Sequence, residues 1–81
     1  MTLTSTAELT LQTSHWRAVQ GSLSPELGER IPRTKVTVEG RENEVVVKIE
    51  AEDQTALRAA LNSYIRWMNV AQETAREAVR G

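Results

Sequence analysis

Cysteine is absent from the 81 residues. That excludes disulfides, thiolate metal ligands and thiol nucleophiles. Histidine occurs once, as His15, and aspartate once, as Asp53. Most metal sites and acid–base pairs therefore cannot be assembled within one chain. Phenylalanine is missing, and the aromatics are two Trp and one Tyr. Neither sign of charge dominates, since ten Lys and Arg face eleven Asp and Glu. A strongly electrostatic nucleic-acid binder is usually basic overall. No apolar run approaches the ~20 residues of a membrane span, and the N-terminus lacks a signal-peptide pattern. These absences leave a soluble, cytoplasmic chain as the expectation, with residues 1–81 forming one domain. A chain this short buries only about 60% of its unfolded surface, so its core is thin and oligomerisation is a natural remedy.

What is present is periodic. Leu3, Ala7, Leu9 and Leu11 fall on one parity, and Thr4, Thr6, Glu8, Thr10 and Gln12 on the other. Ser5 interrupts this alternation, which is otherwise that of a strand with one buried face, clearest from Thr6 to Gln12. Thr13 and Ser14 offer hydroxyls to cap a helix in which Trp16, Val19 and Leu23 form a narrow stripe, weakened by Gly21. Ser24-Pro25 ends that helix or opens a further turn, and Gly28 and Pro32 mark loop. Two alternating runs follow. Val36 and Val38 point inward in the first. Val45, Val47, Ile49 and Ala51 do so in the second, with Val46, Lys48 and Glu50 outward. Gly40-Arg41-Glu42-Asn43 between them reads as a hairpin. Glu44 and Lys48 flank the Val45–Val47 run as charged gatekeepers.

The last segment is a long amphipathic helix. Asp53 is a good N-cap, and no Gly or Pro interrupts residues 54–79. Leu57, Leu61, Tyr64, Met68, Ala71, Ala75 and Ala78 form the expected core stripe. The order is β-α-β-β-α. It predicts an α+β fold, a small three-stranded antiparallel sheet with two helices on one face. A helix of about 26 residues runs roughly 39 Å, more than so small a domain needs to cover itself. Beside the core stripe lies a second one of small residues around one Trp and one Val: Ala56, Ala60, Ser63, Trp67, Val70 and Thr74. It is a candidate groove for a partner helix, unless Trp67 folds back onto the edge of its own sheet.

Chemistry-bearing clusters are scarce. His15 has no second ligand and reads as a polar first-turn residue. Glu42, Glu44, Glu50 and Glu52 sit at turn and outward strand positions, where a carboxylate is solvated. No nucleophile elbow or phosphate-cradling glycine loop is visible. The residues point to no enzyme, metal or cofactor. Arg30, Arg33 and Lys35, with Arg17 and Arg41 as further candidates, could make a modest basic patch, in which Arg33 and Lys35 are the candidates for weak electrostatic contact with RNA.

One string is specific. Glu50-Ala51-Glu52-Asp53 is followed by Ala56-Leu57-Arg58-Ala59-Ala60-Leu61-Asn62-Ser63-Tyr64-Ile65-Arg66-Trp67-Met68. Together with Arg33-Thr34-Lys35-Val36 and the hairpin, it resembles the Pcc family. This is the smallest core subunit of the archaeal and eukaryotic KEOPS (EKC) complex. The likeness spans nearly the whole chain and is strongest from Arg33 onward. It implies a non-catalytic, archaeal-type scaffold subunit that dimerises with itself or a paralogue. It also implies that the subunit bridges copies of the threonylcarbamoyltransferase subunit. Through it the chain would join a kinase-like ATPase and a further small subunit in making threonylcarbamoyladenosine in tRNA. The alternative from a different class is an autonomous KH-like RNA-binding module, against which stands the missing Gly-x-x-Gly clamp.

Overall fold

Alternation makes the first element. β1 spans Ser5–Gln12, its side chains half-buried and exposed in strict turn, and Ser5 belongs to it. The computed structural model describes residues 5–23 and 31–80. Leu3, Ser24-Pro25, Gly28, Arg30 and the side chain of Ala78 lie outside what is described. α1 is Trp16–Ser22, β2 Thr34–Arg41, β3 Glu44–Ala51 and α2 Gln54–Arg80. The order is the expected β-α-β-β-α, and the sheet is antiparallel with β3 in the centre, β1-β3-β2.

Register builds two opposite faces. On the inner face Ala7, Ile49 and Val36 lie abreast, then Leu9, Val47 and Val38, then Leu11, Val45 and Gly40. Both helices contact this sheet, α1 over β2 and β3, α2 over β1 and β3. On the outer face the rows are Thr6–Glu50–Lys35, Glu8–Lys48–Thr37, Thr10–Val46–Glu39 and Gln12–Glu44–Arg41. Val46 stands on this outer face, as its parity requires, yet it is only 3% accessible. A central strand has neighbours on both sides, here Thr10 and Glu39. The Val45–Val47 run is therefore paired along both edges rather than presented as a template for aggregation.

Gly40 lies inside β2, not in the hairpin turn as its composition suggested. The turn is Glu42-Asn43, between the paired Arg41 and Glu44, and Asn43 supplies the left-handed residue with φ 62°. Gly40 does a different job: a Cβ there would overlap the amide of Gln20 and lie 2.9 Å from Trp16 Cε3. The missing side chain is the notch into which α1 docks.

The capping expectations divide. Thr13 does not cap α1, whose N-cap is His15 with no side-chain hydrogen bond. Its hydroxyl instead accepts the His15 amide at 3.0 Å, and its own amide donates to the Asn43 carbonyl, extending the sheet to the hairpin. Asp53 does cap α2. Oδ1 accepts the Ala56 amide at 2.8 Å and the Asp53 carbonyl accepts the Leu57 amide at 3.0 Å.

α2 has 27 residues, about 40 Å of helix. An eight-residue strand spans roughly 26 Å, so the helix outruns the sheet it covers.

Candidate partner face of the long helix

The buried side of α2 is rotated from the stripe the sequence favours. Ala56 is 3% accessible and Ala60 0%, with Tyr64, Met68, Ala71 and Ala75 continuing the row. Ala56 and Ala60, assigned from the sequence to a partner stripe, are core residues. Leu57 and Leu61, assigned to the core, are half-buried at its flank. The cause is steric. Val45, Val47 and Ile49 already fill the inner face of β3, and alanine lets the helix axis come close to them. A pattern weighted by hydrophobicity puts leucine at the centre, whereas packing against a bulky sheet puts alanine there.

The other four residues of the stripe stay nearer the surface. Ser63 and Trp67 are half-buried, Thr74 is exposed, and Val70 is 59% exposed. Trp67 packs against the core and meets Tyr64 edge to face, with ring centroids 5.1 Å apart and planes at 77°. Such pairs add ~0.5–1.5 kcal/mol beyond area burial. Trp67 thus does fold back in part, as the alternative reading had it, while Val70 one turn on faces solvent. Tyr64 is fully buried, and its hydroxyl has no hydrogen-bond partner. Burial pushes its phenol above the ordinary tyrosine range.

A second apolar feature was not visible in the stripe analysis. Ile65 is 48% exposed and, with Met68 and Asn69, lines a groove of about 140 Å³ against Leu9 and Leu11 of β1. Periodicity hid it, because Ile65 lies roughly 110° round the helix from the centre of the Ala56 row, on the Met68 side. The partner element is a strand edge distant in sequence.

The two candidate RNA contacts part company. Arg33 adopts a left-handed backbone, φ 62°, and its carbonyl accepts the Glu52 amide at 3.0 Å. Its guanidinium donates to Asp53 Oδ2 at 2.7 Å, holding the second oxygen of the helix cap. Arg33 is first a clamp between the β2 entry and the start of α2. Both side chains are nearly half exposed, so the pair is worth at most ~1 kcal/mol. Lys35 stands on the outer sheet face, in register with Glu50.

An open recess of about 850 Å³ lies at the hairpin end, lined by His15, Trp16, Arg17, Arg41 and Glu42 among others. Arg17 lies over the Trp16 ring, 5.1 Å from its centroid. Among the described residues no three His, Asp or Glu side chains converge as metal ligands, and no helix is long and apolar enough to cross a membrane.

The sequence matches a known family, the one described as "Transcription factor Pcc1", over residues 4–76. The chain belongs to the Pcc1 family. The match covers all three strands, α1 and most of α2, so the Pcc1 likeness carried by the residues from Arg33 onward extends back to the first strand. The KEOPS complex subunit Pcc1 of Pyrococcus abyssi (strain GE5 / Orsay) is 41% identical over 39 residues, 48% of this chain and 48% of that protein. The chain thus aligns with about half the length of this curated relative.

Proposed function

We propose that this Pcc1-family chain is a non-catalytic dimerisation and scaffold subunit of a KEOPS-type complex. It binds a threonylcarbamoyltransferase subunit and so supports threonylcarbamoyladenosine modification of tRNA. The kinase-like ATPase and a further small subunit join through that partner. The observation that carries this is α2. It is longer than its sheet requires, and it presents Val70 and Thr74 beside a half-buried Trp67, in a chain whose relative is named a KEOPS subunit. An exposed β-branched side chain next to an aromatic shoulder is the anatomy of a small docking site for a partner helix.

The dimer reading rests on other residues. β1 and β2 are edge strands, and edges of this kind are usually covered. Beside β1 lies the groove of Leu9, Leu11, Ile65 and Met68, a seat for a second copy or a paralogue.

The test compares Trp67→Ala and Val70→Arg for affinity towards the transferase subunit and for thermal melting. Val70→Arg should weaken binding by about thirtyfold, some 2 kcal/mol, with melting unchanged. Trp67→Ala should lower both, because its ring also packs on Tyr64. Full affinity in both variants would show that this face is not the docking site. Salt-dependent RNA binding by a chain that never co-purifies with a transferase would favour the autonomous RNA-module reading instead.

A further inference from the structure

Four of the six arginines whose side chains are described have a partner among their neighbours. Arg33 pairs with Asp53, Arg41 with Glu39 and Arg76 with Glu73, and Arg17 stacks on Trp16. The two lysines stand across from carboxylates on the outer sheet, Lys35 in register with Glu50 and Lys48 with Glu8. Arg58 and Arg66 are different. Both are exposed on α2, and neither has a hydrogen bond or ion pair among the described residues. The cause is visible in the sequence, since residues 54–72 contain no Asp or Glu in a chain that has eleven. Arg76, only ten positions beyond Arg66, finds Glu73 at 3.2 Å because the acids return there.

Arg58 and Arg66 share a face with Asn62 and Asn69, all four exposed, within an arc of about 80° on a helix of 3.6 residues per turn. The two guanidinium stems are set roughly 12 Å apart along the axis. Between residues 58 and 69 this strip carries no carboxylate; Glu73 follows on the same face one turn beyond Asn69, and exposed Ile65 borders the strip on the side of the β1 groove. Arginine offers five donors and asparagine an amide, so the strip is rich in donors and has little to offer a partner that is itself a donor. The complement is a run of oxygens that only accept hydrogen bonds and carry negative charge. Phosphates along a nucleic-acid strand have that chemistry, and Arg and Asn are among the side chains that bind them. A span of about 12 Å matches three to four stacked nucleotides at roughly 3.4 Å each.

We propose that the Arg58–Asn62–Arg66–Asn69 strip of α2, rather than the Arg33 and Lys35 region, is where this subunit touches the phosphate backbone of RNA. The inference rests on the proposed role in a tRNA-modifying assembly and names the contacting surface. Contact is to phosphate and so carries no sequence preference. In a dimer the strip occurs twice, which doubles the charge available to a folded RNA.

The experiment is fluorescence anisotropy of the full chain against bulk tRNA and an unstructured RNA, from about 50 to 200 mM salt. It compares the wild type with R58Q/R66Q, R58K/R66K and R76Q. The wild type should bind weakly, with affinity falling steeply as salt rises. R58Q/R66Q should flatten the slope of log K against log salt by about 1.5 units for both RNAs. R58K/R66K should keep most of that slope, and R76Q should change it less than R58Q/R66Q because Glu73 lies beside Arg76. Equal melting temperatures across the set establish that folding is not being measured. An unchanged slope in R58Q/R66Q, or no measurable binding by the wild type, overturns the proposal. Loss of the transferase subunit by R58Q/R66Q in a pull-down also overturns it, because the strip is then a protein interface. Failure of the wild type to bind any transferase, with the RNA slope still responding to Arg58 and Arg66, instead sinks the scaffold reading and leaves the strip standing.

Discussion

The two helices lie on the same face of one sheet and are held there in opposite ways. α1 has seven residues, no side-chain cap, no acidic residue in its first turn, and Gly21 near its end. Isolated helices shorter than ~12 residues are marginal in water. α1 therefore exists because Val19 and Leu23 are fully buried and because Gly40 admits Trp16 and Gln20. α2 has 27 residues, a side-chain cap at Asp53 and an arginine pinning that cap. Its start is specified locally, and its length leaves surface free for partners. The short helix completes the core, while the long one completes the core and reaches beyond it.

The comparison can be broken at the notch. Gly40→Val should cost ~1–3 kcal/mol by forcing Trp16 and Gln20 away from β2. Hydrogen exchange should report lost protection in α1 and retained protection in α2. Equal loss in both would mean that the two helices are one cooperative unit. At the other helix, Asp53→Ala should cost about 1 kcal/mol, since it removes the cap on the Ala56 amide and releases Arg33. Its exchange signature should be confined to the first turn of α2. Urea unfolding monitored by circular dichroism measures both costs.

Gly21→Ala sharpens the contrast in the other direction. Nothing lies within 4 Å of a Cβ there, and the backbone is not left-handed. Alanine should stabilise the chain by about 0.5–1 kcal/mol, the propensity α1 lacks. A loss of stability would show that α1 depends on a fit beyond Gly40.

The smallest effect is expected at Tyr64. Its phenol is raised by burial, so the fold prefers the neutral form. Above pH ~10 the unfolded chain gives up a proton that the folded chain keeps, and stability falls as pH rises through that range. Tyr64→Phe should remove this alkaline slope. It should cost nothing at neutral pH, because the hydroxyl it deletes has no hydrogen-bond partner. Thermal melts of both chains at neutral and alkaline pH measure the difference.

Strand parity was legible because period two leaves no choice. Ala7, Leu9, Leu11, Val36, Val38, Val45, Val47 and Ile49 all face inward as read. The start of α2 was legible because Asp53 acts on an amide three residues away. The rotation of α2 was not, since Ala60 and Leu61 are neighbours on the helix and their order of burial depends on what lies beneath them. The candidate site inherits that uncertainty. Of six stripe residues, Ala56 and Ala60 went to the core, Ser63 and Trp67 to its flank, and only Val70 and Thr74 to solvent.

By itself, then, the sequence determined the order of elements, the inward face of each strand, the cap of the long helix and the family string around Asn62-Ser63-Tyr64. All are set by residues within a few positions of one another. Only the tertiary structure decided that Gly40 is a docking notch, that Arg33 pairs with Asp53, and that Ile65 stands over the β1 edge. Each of these depends on groups far apart in the chain. Which distant groups meet is settled by the close packing of two helices on one twisted sheet.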